Sequence, residues 1–193
     1  MMNMPSSAEL KLFMVLLGSK SPARNVEQHD YFFGIGQVLN DLVPQMRAFW
    51  PGTGNSLHVD GWREVTRVSG FRVEVVLKER DDFLALNRLF FINLGGYQAD
   101  KLEEQHYTVL SVHSDRAQAA RHAKQTLFYK TNTLKGAGSH IDEKYGIDVD
   151  DIYHIEEILP PGEKEKYRVL LTPAEDVATD KIHLGYLKLD KIK

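Results

Sequence analysis

The sequence predicts an α+β protein of two tandem ββαββ repeats, over residues 10–77 and 88–172. Each would be a small mixed or antiparallel sheet with one helix packed on a face, the two related by a pseudo-twofold. Three observations lead there. Leu12-Phe13-Met14-Val15-Leu16-Leu17-Gly18 recurs in kind as Leu89-Phe90-Phe91-Ile92-Asn93-Leu94-Gly95. Glu27-Gln28-His29 recurs as Glu104-Gln105-His106, and both matches lie 77 positions apart, so they share one ungapped alignment. The segments after each match also follow one order of strand, strand, helix, strand, strand. Self-similarity at a fixed offset marks a duplicated unit.

Residues 1–9, with Pro5-Ser6-Ser7, form a lead-in. Leu10–Leu17 is almost continuously apolar and stops at Gly18, as a strand covered on both faces does. Ser19–Val26 is a loop too long for a tight hairpin. Glu27–Gly36 is a second strand, with aromatics at Tyr31, Phe32 and Phe33. Leu39, Val43, Met46 and Trp50 recur at helical spacing, capped by Asn40 or Asp41, with Pro44 in the first turn and Pro51-Gly52 as the stop. Leu57–Val68 is a third strand whose alternation slips near Gly61, at a bulge. Ser69-Gly70 suits a two-residue hairpin turn into Phe71–Val75, which alternates cleanly.

The second copy repeats the order with strands at Arg88–Leu94 and Gln105–Val112. Its helix runs from Ser114, as N-cap, to Phe128, with small buried residues at Ala119, Ala120 and Ala123 beside Leu127. A long connection, Tyr129 to Asp150, leads to strands at Ile152–Leu159 and Tyr167–Thr172. Residues 173–193 have no counterpart in the first copy. Ile182, Leu184, Tyr186 and Leu189 make them a C-terminal extension packed on the domains, with a strand across their junction.

Bulk properties narrow the function. At 193 residues the chain suffices for two small domains. The net charge of −3 hides no polarised half: residues 1–87 carry 9 Lys and Arg against 10 Asp and Glu, and residues 88–193 carry 15 against 17. Without a basic stripe, nucleic acid is not an expected partner. The absence of cysteine excludes disulfides and thiolate metal sites. Lys11 and the apolar run to Leu17 imitate a signal peptide, but the run recurs mid-chain and is read as a strand. No apolar stretch reaches the length of a membrane span, so no membrane partner and a cytoplasmic location are expected.

Chemistry concentrates in the repeated polar positions. Each copy holds Glu-x-His at the start of its second strand and His-x-Asp near its third. Residues two apart share a strand face, so Glu27 with His29, and His58 with Asp60, are neighbours. If the helical crossover leaves the second and third strands parallel in one sheet, both begin at the end where the first strand finishes. The second cluster would use Glu104, His106, His140 and Asp142. This choice aligns His58-Val59-Asp60 with His140-Ile141-Asp142 at an offset of 82; the other register aligns Val59-Asp60 with Val149-Asp150 at 90.

Three readings compete for these eight residues. They can be hydrogen-bonded ties that satisfy a strand end. They can bind a small ligand or a divalent metal, since imidazole and carboxylate suit zinc, manganese or iron. They can support acid–base catalysis by a carboxylate-oriented histidine, for which no nucleophile is visible. Other motifs are weaker. Lys135-Gly136-Ala137-Gly138-Ser139 lacks the spacing of a phosphate loop, and Gly34-Ile35-Gly36 lacks the third glycine of a dinucleotide fingerprint. His113, His122, His154 and His183 have no repeated partner.

Leu-Gly-(Ser/Gly), then Glu-x-His, then Leu57-His58-Val59-Asp60-Gly61-Trp62 resembles the bacterial family catalogued as domain of unknown function 1543. The resemblance covers about residues 10–77 and 88–172 and implies one or two copies of a domain of this size. The second copy departs from the pattern: Ser139 precedes His140 where Leu57 precedes His58, and Tyr145 stands late in place of Trp. The family implies no activity. The expectation is therefore a non-catalytic ligand-binding or interaction module built from a duplicated domain, with a small ligand or a protein as partner. The alternative is a metal-dependent hydrolytic enzyme using Glu27, His29, His58 and Asp60. Exposed strand edges and the tail also suggest a homo-oligomer.

Overall fold

The fold was obtained as a computed structural model that describes residues 9–79, 86–97, 102, 104–131, 140–141, 146–175 and 179–193. In chain order its elements are β1 (Lys11–Ser19), β2 (Gln28–Gly36), α1 (Val43–Phe49), β3 (His58–Glu64), β4 (Arg67–Val68), β5 (Phe71–Leu77), β6 (Arg88–Tyr97) and β7 (Glu104–His113). They continue with α2 (Arg116–Thr131), β8 (His140–Ile141), β9 (Gly146–His154), α3 (Ile155–Ile158), α4 (Pro161–Lys166), β10 (Tyr167–Pro173) and β11 (His183–Lys188). The architecture is α+β, with three sheets that are antiparallel except for the short β8–β9 pair, and few helices. Two compact units divide it: Met1–Asp82 with Ile158–Lys193, and Phe83–Glu157.

In the first unit β1 is an inner strand of the order β11-β3-β1-β2, antiparallel to both β2 and β3. That explains its unbroken apolar run, since both faces are covered. Phe13, Val15 and Leu17 project to one face, onto Leu39, Leu42 and Met46 of the helical segment. Leu12 and Met14 lie on the other, beside the equally buried Phe33 and Ile35. The expected helix is shorter than its stripe: a 3-10 turn spans Leu39–Leu42 before α1. Asp41 accepts the amides of Gln37 and Val38 (2.9 and 3.1 Å). It thereby satisfies donors that the turn leaves open. Ser69 and Gly70 turn with φ of 52° and 79°, the positive pair a two-residue hairpin turn requires.

The second sheet of this unit has the order β10-β5-β4. Here the structure corrects the expected strand allocation. Tyr167–Pro173, read as the last strand of the second copy, pairs antiparallel with β5, from Tyr167↔Leu77 to Pro173↔Phe71. The tail also stays within the first unit, where β11 extends the sheet beside β3. Leu189 and Ile192 enter its core, whereas Ile182, Leu184 and Tyr186, expected to pack, are exposed.

The second unit has the order β7-β6-β9-β8, with Ala119 and Ala123 of α2 against Phe90, Ile92 and Leu94. Asp115, rather than Ser114, caps α2, accepting the Gln118 amide at 2.8 Å. Held by that amide, its carboxyl titrates below the usual carboxylate range. The expected strand Ile152–Leu159 ends at His154, because Ile155 and Ile158 are spaced for a helical turn, which they form. Lys135–Ser139, Asp142 and Tyr145 lie outside the described residues. Among the described residues no helix is long and apolar enough to cross a membrane.

Leu189, 3% exposed, anchors the C-terminal 3-10 turn in the first unit's core. Leu189→Ala is expected to lower unfolding free energy by about 2–4 kcal/mol, measured by urea denaturation of the full chain. A cost below about 1 kcal/mol would show that the tail does not contribute to that core.

Candidate functional site

The end of β1 gathers the first polar cluster. Gly18 pairs with His29 on β2 and with His58 on β3, so both histidines flank one glycine from opposite sides. Cross-strand partners share a face, and i, i+2 periodicity brings Glu27 to the side of His29. A bulge delivers Asp60. Leu17 pairs with Val59 and Leu16 with Gly61, leaving Asp60 as the extra residue. Such a bulge re-aims a side chain while the strand continues.

The four side chains meet. Glu27 Oε1 lies 2.7 Å from His58 Nε2, Asp60 Oδ1 3.4 Å from the same nitrogen, and Asp60 Oδ2 3.1 Å from His29 Nε2. That last pair is within ion-pair range but does not form a hydrogen bond, and Oδ2 is buried without any hydrogen-bond donor. His58, 5% exposed, donates from Nδ1 to the Ser56 carbonyl at 2.7 Å. This bond orients the ring and directs Nε2 at the carboxylates. The Tyr186 ring stands 4.4 Å from the imidazole, centroid to centroid. Neither Glu27 nor Asp60 pairs with a Lys or Arg among the described residues. Nε2 is thus directed at the Glu27 and Asp60 carboxylates, its only charged neighbours among the described residues.

Gly18 makes the cluster fit. A Cβ there would stand 2.5 Å from Asp60 Oδ2, 2.5 Å from His58 Nε2 and 3.1 Å from Glu27 Oε1. Gly18, Ser56 and Tyr186 belong to the site although sequence reasoning did not place them there. The recurrence of Gly18 as Gly95 was the available signal. Nearby hydroxyls are committed to structure: Ser56 Oγ donates to the Thr53 carbonyl, and Ser19 Oγ bonds Ser56 Oγ at 2.7 Å.

The second set lies only partly within the described residues, and its backbone register differs from the expected one. Gly95 pairs with His106 on β7, as Gly18 does with His29, but its partner on β9 is Asp148. Leu94 pairs with Val149 and Asn93 with Asp151, which makes Asp150 the extra residue. The offset of 90 is therefore the register of the third strands, and the offset of 82 is corrected. His140 sits on β8, opposite Gly146 and away from Gly95 in the sheet order. Glu104 begins β7, and Asp142 lies outside the described residues. His140-Ile141-Asp142 resembles His58-Val59-Asp60 in sequence, but backbone pairing across β6 sets the register.

Two further histidines in the second unit are displaced from their ordinary titration. Burial lowers His154, which packs against Phe90, despite the opposing pull of Glu156 and Glu157. Burial also lowers His113, helped by the His122 ring 5.0 Å away.

Fold and site together define a small α+β protein with an imidazole–carboxylate cluster at the joined ends of three strands. Residues 24–75, which contain Glu27, His29, His58 and Asp60, match the model of the family described as Domain of Unknown Function (DUF1543). The resemblance seen in the sequence is thus borne out over that segment. Among solved structures the chain is similar to the crystal structure of a protein Il1583 from Idiomarina loihiensis. Identity is 20%, with 94% of this chain and 99% of that chain covered at a TM-score of 0.61, a likeness of fold. No curated protein matches the chain.

Gly18→Ala is expected to fold but to push the carboxylates and imidazoles apart, costing about 1–3 kcal/mol. Histidine ring NMR signals should report it; unchanged His29 and His58 resonances would contradict the geometry. A pH effect follows from His113 and His154. The unfolded chain takes up these protons near the ordinary 6.5, while the folded chain resists them. Stability is therefore full above that value and falls as pH drops toward the lower folded values. Urea midpoints should be lower at about pH 5.5 than at about pH 7.5, and His154→Gln should flatten the difference.

Proposed function

We propose that the protein is a non-catalytic binding module built from a duplicated ββαββ domain, and that it binds its ligand at Glu27, His29, His58 and Asp60. The observation that carries the binding role is the buried Asp60 Oδ2, which accepts no hydrogen bond although His29 Nε2 is 3.1 Å away, beside a glycine with no room for a side chain. A cluster that served only to tie strands together would satisfy that oxygen internally. Two carboxylates that among the described residues face imidazoles and no Lys or Arg suit an incoming cationic or hydrogen-bond-donating ligand. The two nearby serine hydroxyls bond each other and the Thr53 carbonyl, which fits a site without a serine nucleophile.

Duplication is supported by the shared offset of β1 with β6 and β2 with β7, and by an extra residue at the same place in β3 and β9. In this reading the copies diverged. Asp148 occupies the strand position of His58, which leaves the complete set in the first copy. A second reading, a hydrolytic metal enzyme using the same four residues, is favoured by the orientation of His58 Nε2 toward both carboxylates.

Binding sites give up stability that structural ties would add. Asp60→Asn is expected to leave the melting temperature unchanged or raise it. His29→Ala should change stability by no more than about 1 kcal/mol, read by thermal and urea unfolding. A loss above about 2 kcal/mol in both variants would assign the cluster to structure and reject the binding role.

A further inference from the structure

We infer that the ligand of this site is a divalent first-row transition cation, zinc or manganese, held by Glu27, His58 and Asp60 above Gly18, with His29 poised as a fourth donor. The inference rests on the binding role proposed above and names its occupant. One donor atom from each of Glu27, His58 and Asp60 falls within 4.8 Å of the others. Tetrahedral ligands on bonds near 2.0 Å stand about 3.3 Å apart. The observed separations of 2.7 and 3.4 Å at His58 Nε2 bracket that spacing. A Cβ on Gly18 would stand 2.5 Å from both Asp60 Oδ2 and His58 Nε2, so only glycine lets these donors keep their places.

The outer contacts have the form metal-bound histidines use. His58 Nδ1 donates to the Ser56 carbonyl, which fixes the tautomer and leaves the Nε2 lone pair for the ion. Asp60 Oδ1 is the oxygen 3.4 Å from His58 Nε2, and Oδ2 of the same carboxylate, buried with no donor, would be satisfied by a cation that this carboxylate holds. His29 Nε2 lies 3.1 Å from Oδ2 on a half-exposed side chain that can turn inward. An imidazole ligand selects transition cations over magnesium and calcium, which take oxygen donors.

The test uses the full chain without a histidine tag, stripped with a chelator and titrated with zinc chloride and, separately, manganese chloride by calorimetry. One cation per chain with micromolar or tighter affinity is expected. His58→Ala, Asp60→Asn and Gly18→Ala should each weaken binding at least tenfold, and His113→Gln should not. Glu27→Gln, at a more exposed position, provides a variant whose folding is not in question, and circular dichroism verifies each protein. Manganese should broaden the NMR signals of Gly18, His29 and His58 first. Absence of saturable binding, or binding that survives Asp60→Asn and Glu27→Gln, would overturn the cation. If that happens while Asp60→Asn remains at least as stable as the parent, the binding role stands with another ligand. If Asp60→Asn and His29→Ala are both strongly destabilised as well, the binding role falls too.

Discussion

Gly18 is held between two antiparallel neighbours, and the geometry of the site depends on that constraint. Because β2 and β3 both run against β1, they begin together where β1 ends, and one residue is paired with a histidine on each side. The apolar face beneath makes the arrangement rigid. Phe13, Val15 and Leu17 are buried against the 3-10 turn and α1, so β1 cannot slide by one residue without turning its core face to the opposite side. Polar groups that would otherwise prefer water are thereby held at one strand end.

Burial and exposure divide the tasks within the cluster. His58 is enclosed and anchored to the Ser56 carbonyl, while His29 is half exposed and Glu27 belongs to the approach to β2. The bulge adds what a regular strand could not. It supplies Asp60 at the level of His58 and then restores alternation, so that Trp62 returns to the core side with Val59. A site of one fixed imidazole and several adjustable donors can close on a small occupant with little rearrangement of the backbone.

Local features were legible in the sequence. The apolar run of β1, the Glu-x-His pair, the Gly61 irregularity and the Ser69-Gly70 turn each follow from rules spanning a few residues, and their convergence followed from one crossover. Pairings between distant segments were not legible. Nothing within Tyr167–Pro173 marks β5 as its partner, because the edge of β5 accepts any strand of suitable length and polarity. The register of β9 was not legible for a related reason. Histidine and aspartate at 140 and 142 resemble His58 and Asp60 by type, but backbone pairing places Asp148 and Val149 beside β6. Ile155 and Ile158 were drawn into a strand because a short apolar segment reads similarly in either conformation.

The first unit is completed by residues that follow the whole second unit in the chain. Strands β10 and β11 return after the whole of Phe83–Glu157 to cover the open sides of β5 and β3. A chain emerging from the ribosome therefore carries two bare strand margins through the synthesis of an entire intervening domain. Such margins invite association with other chains, and closing so wide a loop slows productive folding. Vectorial synthesis thus leaves the first unit exposed to misassembly for longer than the second, whose strands are contiguous and can pair as they appear.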